Sequence, residues 1–163
     1  MNTMSTITAA ITAVGAYVPD FVLTNEILET LVDTNDEWII ARTGIKERRI
    51  LKDDSKGTSY LAIMAAKDLM AKANLDPLEI DLVIVATATA DMPVAATAAF
   101  VATEIGATNA FGYDLQAACS SFLFGMSTAA AYIQSGRYKK VLLIGADKMS
   151  SIVDYTDRAT CII

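Results

Sequence analysis

The sequence predicts an α/β protein built on a mostly parallel five-stranded sheet with helices on both faces. Three observations lead there. Apolar runs of strand length alternate with longer helical stretches, in the order strand, helix, strand, helix, strand, helix, strand, strand. Leu82-Val83-Ile84-Val85-Ala86 is continuously apolar, as in a strand covered on both faces. No repeat, linker or low-complexity tract divides the 163 residues, so one unit, 1–163, is expected.

The elements follow from local signals. Residues 7–14 alternate Thr and Ala with Ile and Val and stop at Gly15 and Pro19, which predicts a strand and a turn. Thr24 or Asn25 caps a short helix ending near Asp33. Thr34-Asn35-Asp36-Glu37 has the layout of a capping box, so a second helix is expected from Thr34. On it Thr34, Trp38 and Arg42 are four apart and share a face, and Gly44 ends it as a left-handed C-cap. Arg42, Lys46, Arg48 and Arg49 make a basic cluster, expected as a solvated face, and residues 52–57 read as an exposed loop. A helix over 58–73 places Leu61, Met64, Ala65, Leu69 and Ala73 on one stripe.

Asp76-Pro77-Leu78-Glu79 suits a brief helical turn with proline first. The strand 82–86 leads into a polar loop, 87–91, and Pro93 is expected to open a helix ending near Gly106. A strand over 109–115 then runs through a short turn into a helix lasting until Gly136. Arg137-Tyr138-Lys139-Lys140 is a solvated turn before the strand 141–146. Residues 148–157 form a loop, and Thr160-Cys161-Ile162-Ile163 is expected to begin a last strand, inside which the chain stops.

Composition excludes several classes. A net charge of −6 with no basic arm argues against general nucleic-acid binding. The N-terminus lacks the basic-then-apolar layout of a signal peptide, and two cysteines in unrelated contexts make no disulfide framework or metal set, so a cytoplasmic protein is expected. The uncharged run 116–136 is long enough to raise a membrane span, but its glutamines, serines and internal glycine argue against one.

Within that run lies the candidate chemistry. Cys119 stands where the helix begins, facing unpaired backbone N–H groups and the positive end of the helix dipole, both of which favour thiolate. Those N–H groups also suit an oxyanion formed when the thiolate attacks a carbonyl. The residues alone leave a second reading open, since a free cysteine is commonly an inert core side chain. Cys161, in an apolar run, reads as structural. Asp114 reads as a strand-end residue with local hydrogen bonds rather than a base.

Ala117-Ala118-Cys119-Ser120-Ser121-Phe122 resembles the nucleophile motif of the thiolase superfamily, most closely the β-ketoacyl-[acyl carrier protein] synthase III family. Asp33-Thr34-Asn35-Asp36-Glu37-Trp38-Ile39 with Arg42-Thr43-Gly44-Ile45, and Thr156-Asp157-Arg158-Ala159-Thr160, resemble further motifs of that family in the same order. The resemblance covers essentially the whole chain but only the first half of the family. It implies a thiolase-like fold half, with the C-terminal half absent from this sequence.

The resemblance implies that Cys119 takes an acyl group from acyl-CoA, and that decarboxylative condensation with malonyl-[acyl carrier protein] follows in the complete enzyme. Coenzyme A thioester then enters as substrate, with no permanently bound cofactor and no metal. The family's histidine and asparagine belong to its second half, and this sequence contains no histidine. The resemblance implies CoA adenine between Trp38 and Arg158, with Arg42 and Thr34 at its phosphates or base. Without the motif, a core tryptophan and solvated arginines would account for the same residues. Met92 matches the position that closes the partner's acyl pocket across a dimer, and the strand 109–115, outermost in this fold, is expected to pair in a homodimer. Two alternatives remain: a related thiolase-fold condensing enzyme using CoA, or a non-catalytic partner subunit.

Overall fold

The computed structural model describes residues 7–162, which form two compact units. The first comprises the N-terminal segment to Tyr17 and Gly57–Asp147, and the second Val18–Lys56 with the chain from Lys148 onward.

In the first unit, strands β3 (Leu82–Ala86), β4 (Phe111–Leu115) and β5 (Val141–Gly145) form a parallel sheet in the order β4-β3-β5. (Strands β1 and β2 belong to the second unit.) The register aligns Ala86 with Leu115 and Gly145, so all three strands end together. Strand β3 is buried along its whole length, as its uninterrupted apolar run predicts. Its side chains alternate in direction. Val83 and Val85 join Leu142 and Ile144 in a core with Ala62, Ile63 and Ala66 of helix α3 (Thr58–Ala73) and Ala98 and Val101 of α4 (Thr97–Glu104).

On the opposite face lies helix α5 (Ser121–Gln134). It comes close because Gly125 lacks a side chain: a Cβ there would stand 2.5 Å from Leu143 Cδ1. Helices therefore cover both faces of this sheet, as expected. Phe122, Leu123 and Phe124 of α5 nevertheless remain 45%, 63% and 56% exposed. Among the described residues, no helix is long and apolar enough to cross a membrane.

The second unit holds an antiparallel pair, β1 (Phe21–Thr24) and β2 (Glu47–Ile50), with helices α1 (Asn25–Glu29) and α2 (Asp36–Thr43). Leu23, Leu28, Ile39 and Cys161 form its core. Arg48 of β2 is buried there, donating to Asn25 Oδ1 and to the Ile162 carbonyl. Asn25 in turn donates to Asp36 Oδ1 and the Ile45 carbonyl, 2.8 Å each, so one polar network crosses the core. Burial pulls the Arg48 guanidinium below its ordinary pKa.

Several expectations are corrected. The α/β class and the parallel sheet stand, but of the five strands expected only 82–86, 109–115 and 141–146 form that sheet, as β3, β4 and β5, and the antiparallel pair β1–β2 lies in segments not read as strands. Residues 7–14 are not a strand, because no strand among the described residues pairs with them. The residues that follow meet α3: Gly15 comes within reach of Leu69 and the Ala16 N–H bonds Asp68 at 2.9 Å. Residues 160–162 are turn rather than strand, and Ile163 lies outside the described residues.

Helix α2 begins at Asp36, capped by Asn35 rather than Thr34, with Asn35 Oδ1 accepting the Trp38 N–H at 2.8 Å. Helix α4 begins at Thr97 rather than Pro93. On α3 the buried face is Ala62, Ile63 and Ala66, not the stripe through Leu61, Met64, Ala65 and Ala73; the helix is apolar nearly all round, so its neighbours choose the face. Arg48 is core rather than solvated face, whereas Arg42, Lys46 and Arg49 are exposed.

Candidate active site

The first unit brings its functional candidates to the common end of the parallel strands, where open α/β sheets place their ligands. Three carboxylates organise that end. Asp114, the fourth residue of β4, accepts the Thr97 and Ala98 N–H groups at 2.7 and 2.8 Å, capping α4 with both oxygens. Ala96, at the cap position, offers no side-chain bond of its own. Asp147, after β5, accepts the Ala88 and Thr89 N–H groups and the hydroxyls of Thr87 and Thr89 on one oxygen, at 2.8–3.1 Å. Asp91 accepts the Ser59 N–H at 3.2 Å, near the start of α3. Sequence reasoning saw Asp114 as a strand-end residue and missed Asp91 and Asp147, whose partners are distant along the chain.

From β4 the chain enters a tight turn of 3₁₀ geometry, Ala118–Ser120, and then α5. Cys119 is exposed within this turn, directly ahead of α5. The turn is strained: Ala118 has φ +47°, a left-handed conformation that costs a non-glycine residue about 1–2 kcal/mol. Ser121, the first helical residue, is buried and compensates. Its Oγ accepts the Ala117 N–H at 2.6 Å and donates to the Ala118 carbonyl at 2.8 Å. Sequence reasoning quoted Ser121 only as part of a motif; its burial was the missing signal. Met92, also of this unit, is half exposed in the bends between β3 and α4.

In the second unit, three expected residues gather. The Arg42 guanidinium lies over the Trp38 ring at 4.6 Å from its centroid, and that of Arg158 at 5.2 Å. The first contact follows from their spacing on α2; the second joins residues far apart in sequence. Trp38 packs its other atoms against the Leu23–Leu28–Ile39–Cys161 core, so it is both core and platform. Arg158 also reaches Asp33 at 3.3 Å, an exposed pair. Thr34 differs from expectation: displaced from the cap position, its buried hydroxyl has no hydrogen-bond partner among the described residues. Burial pushes the Cys161 thiol above its ordinary pKa, in keeping with a structural cysteine.

Known proteins carry the same pattern. Residues 113–163, the strand end, the Cys119 turn and the chain beyond, match the family described as 3-oxoacyl-[acyl-carrier-protein] synthase III. Over 158 residues, 97% of this chain and 47% of the relative, the sequence is 58% identical to β-ketoacyl-[acyl-carrier-protein] synthase III 2 of Bacteroides thetaiotaomicron. It is 57% identical over 155 residues to β-ketoacyl-[acyl-carrier-protein] synthase III of Chlorobium chlorochromatii, covering 95% of this chain and 47% of that protein.

The crystal structure of 3-oxoacyl-[acyl-carrier-protein] synthase III from Aquifex aeolicus superposes with a TM-score of 0.88 at 46% identity, over 93% of this chain and 48% of that one. The priming β-ketosynthase of the R1128 polyketide pathway does so with a TM-score of 0.88 at 35% identity, over 93% and 45%. The chain thus spans about half the length of the curated relatives it matches. In sequence and in fold it is similar to about half of each of these β-ketoacyl-[acyl-carrier-protein] synthase III proteins.

Proposed function

We propose that this chain is the acyl-accepting half of a β-ketoacyl-[acyl-carrier-protein] synthase III, initiating fatty-acid synthesis. The observation that carries the reading is Cys119, exposed on a strained turn between β4 and an uncharged helix. The Cys119 thiolate attacks the carbonyl carbon of acyl-CoA. The carbonyl π electrons move to oxygen, where the Cys119 backbone N–H supplies one hydrogen-bond donor. The oxyanion then collapses, the bond to sulfur of CoA breaks, and CoA leaves as a thiolate that takes up a proton. The acyl group remains on Cys119 as a thioester. Condensation with malonyl-[acyl carrier protein] releases CO2 and the β-ketoacyl product in the complete enzyme, with groups this chain does not contain; it has no histidine.

Trp38 and Arg158 receive the adenine of CoA between them, with Arg42 and Thr34 at its phosphates or base. Stacked planes lie about 3.5 Å apart, so an inserted base needs about 7 Å between indole and guanidinium. Arg158 at 5.2 Å from the ring therefore moves outward as the base enters, leaving Asp33. That exposed pair offers little resistance, about 0–1 kcal/mol. Met92 borders the acyl pocket of a partner subunit. Strand β4 stands at the edge of its sheet, which supports a homodimer formed by edge pairing. The cytoplasm, where acyl-CoA and carrier protein occur, is the proposed location.

Intact-mass measurement after incubation with acetyl-CoA tests the reading. The expected result is a single acetyl adduct in the wild-type chain and none in Cys119→Ser. An unmodified wild-type chain, or equal labelling of the variant, removes Cys119 from the role.

A further inference from the structure

We infer that Ser121 is a positioning residue that aims the Cys119 backbone N–H at the carbonyl oxygen of the acyl donor. The inference rests on the proposal that Cys119 is the nucleophile and goes on to ask what holds it. The Ala118–Cys119 peptide is one rigid plane, with the Ala118 carbonyl at one end and the Cys119 N–H at the other. Ser121 Oγ–H donates to that carbonyl at 2.8 Å, so it fixes the direction of the N–H from the opposite side of the bond. The hydroxyl rotor is itself set, because Oγ accepts the Ala117 N–H at 2.6 Å and its own proton is left to point at Ala118. Ser121 is 3% exposed, so water does not compete for either bond.

The turn needs such a clamp. Ala118 holds φ +47°, and Ala117 stands at φ −151°, ψ 37°, outside the common wells. Neither is glycine, so the turn has no conformational freedom of its own to draw on. A flip of the Ala118–Cys119 peptide would turn ψ of Ala118 and φ of Cys119 and leave φ of Ala118 at +47°. It would also replace a donor with a carbonyl oxygen where the oxyanion develops. The Ser121 hydroxyl opposes that flip. It never touches the substrate; it acts through the peptide of the nucleophile.

The test follows acetylation of Cys119 in the full chain by intact mass, as the rate against acetyl-CoA concentration. Ser121→Ala should lower the limiting rate about tenfold, less than outright removal of an oxyanion donor, and leave the half-saturating concentration within about twofold. Ser121→Thr, which keeps the hydroxyl, should restore most of the rate. Should Ser121→Ala fail to fold by circular dichroism, the pair Ala118→Gly and Ala118→Gly/Ser121→Ala replaces it. Glycine takes the left-handed turn without strain but cannot hold the peptide, so the double variant should remain about tenfold slower than Ala118→Gly.

A wild-type limiting rate in Ser121→Ala, or equal rates in the glycine pair, overturns the proposal. A loss appearing only as a higher half-saturating concentration does so too. A wild-type chain that takes no acetyl group overturns the nucleophile reading beneath it, an outcome distinct from the others.

Discussion

Asp114 offers the sharpest separation of structure from catalysis, because a carboxylate at the fourth residue of a strand and five before the proposed nucleophile invites assignment as a base. Its geometry says otherwise: both oxygens are engaged by the first N–H groups of α4, at 2.7 and 2.8 Å. Asp114→Ala leaves both donors without a protein partner and removes a negative charge from the positive end of the helix. Hydrogen bonds to a charged group contribute about 1.5–3 kcal/mol each, and loss of a helix cap alone costs about 0.5–2. Water regains part of the loss at this half-buried site, so the net destabilisation should be about 2–3 kcal/mol.

For a chain of this size each kcal/mol lowers the melting temperature by about 2–4 °C, which predicts a drop of about 5–10 °C. Asp114→Asn keeps one acceptor but turns an amide N–H toward a backbone N–H, and should lose about half as much. Thermal unfolding by circular dichroism reads both. Acetylation of Cys119, measured well below the melting temperature, should stay within about threefold of wild type, since the carboxylate holds α4 and not the thiol. A hundredfold loss of acetylation at unchanged stability would refute the reasoning and make Asp114 the base.

Three further outcomes are expected. CoA should quench the fluorescence of Trp38, the sole tryptophan, and Trp38→Ala should weaken CoA binding by about 1–3 kcal/mol in calorimetry; unchanged affinity would return Trp38 to the core alone. Asp81 accepts the Lys139 and Lys140 N–H groups at 2.8 and 2.9 Å, chiefly the latter holding its carboxyl below the usual range. With its folded pKa depressed, its contribution is present at neutral pH and lost as pH falls through the folded value, below about pH 4. Asp81→Asn should therefore be less stable than wild type at pH 7 and converge with it in acid, and denaturation curves that stay parallel would contradict this. Gly15→Val places a Cβ 2.5 Å from the Leu69 backbone nitrogen and 2.7 Å from the Ala65 carbonyl, atoms that α3 cannot move cheaply. The chain at Gly15 and Ala16 should lift from α3 at a cost of about 1–3 kcal/mol, seen as faster proteolysis within residues 7–17; unaltered cleavage would show that it does not pack there.

The sequence by itself determined whatever depends on a few neighbouring residues. The buried run of β3, the bounds of α3, the glycine C-cap at Gly44 (φ +72°) and the proline-led turn Pro77–Glu79 all stand as their local signals predict. So does the place of Cys119 ahead of α5, since a strand, a turn and an uncharged helix are contiguous in the chain. Tertiary structure decided the rest. Residues 7–14 have the alternation of a strand, but a strand exists only against a partner, and none of the described residues provides one.

Arg48 looks like one charge in a surface run until β2 pairs with β1 and turns it toward Asn25 and the Ile162 carbonyl. Trp38 meets Arg42 through helical spacing, but meets Arg158 only because the chain returns to the same unit. Ser121 differs from its neighbour Ser120 in nothing the sequence records. The α5 packing buries one and not the other, and the buried hydroxyl holds the peptide of the cysteine. Local signals reach about one helical turn, whereas burial and cross-chain hydrogen bonds are decided by whichever segments the fold brings alongside.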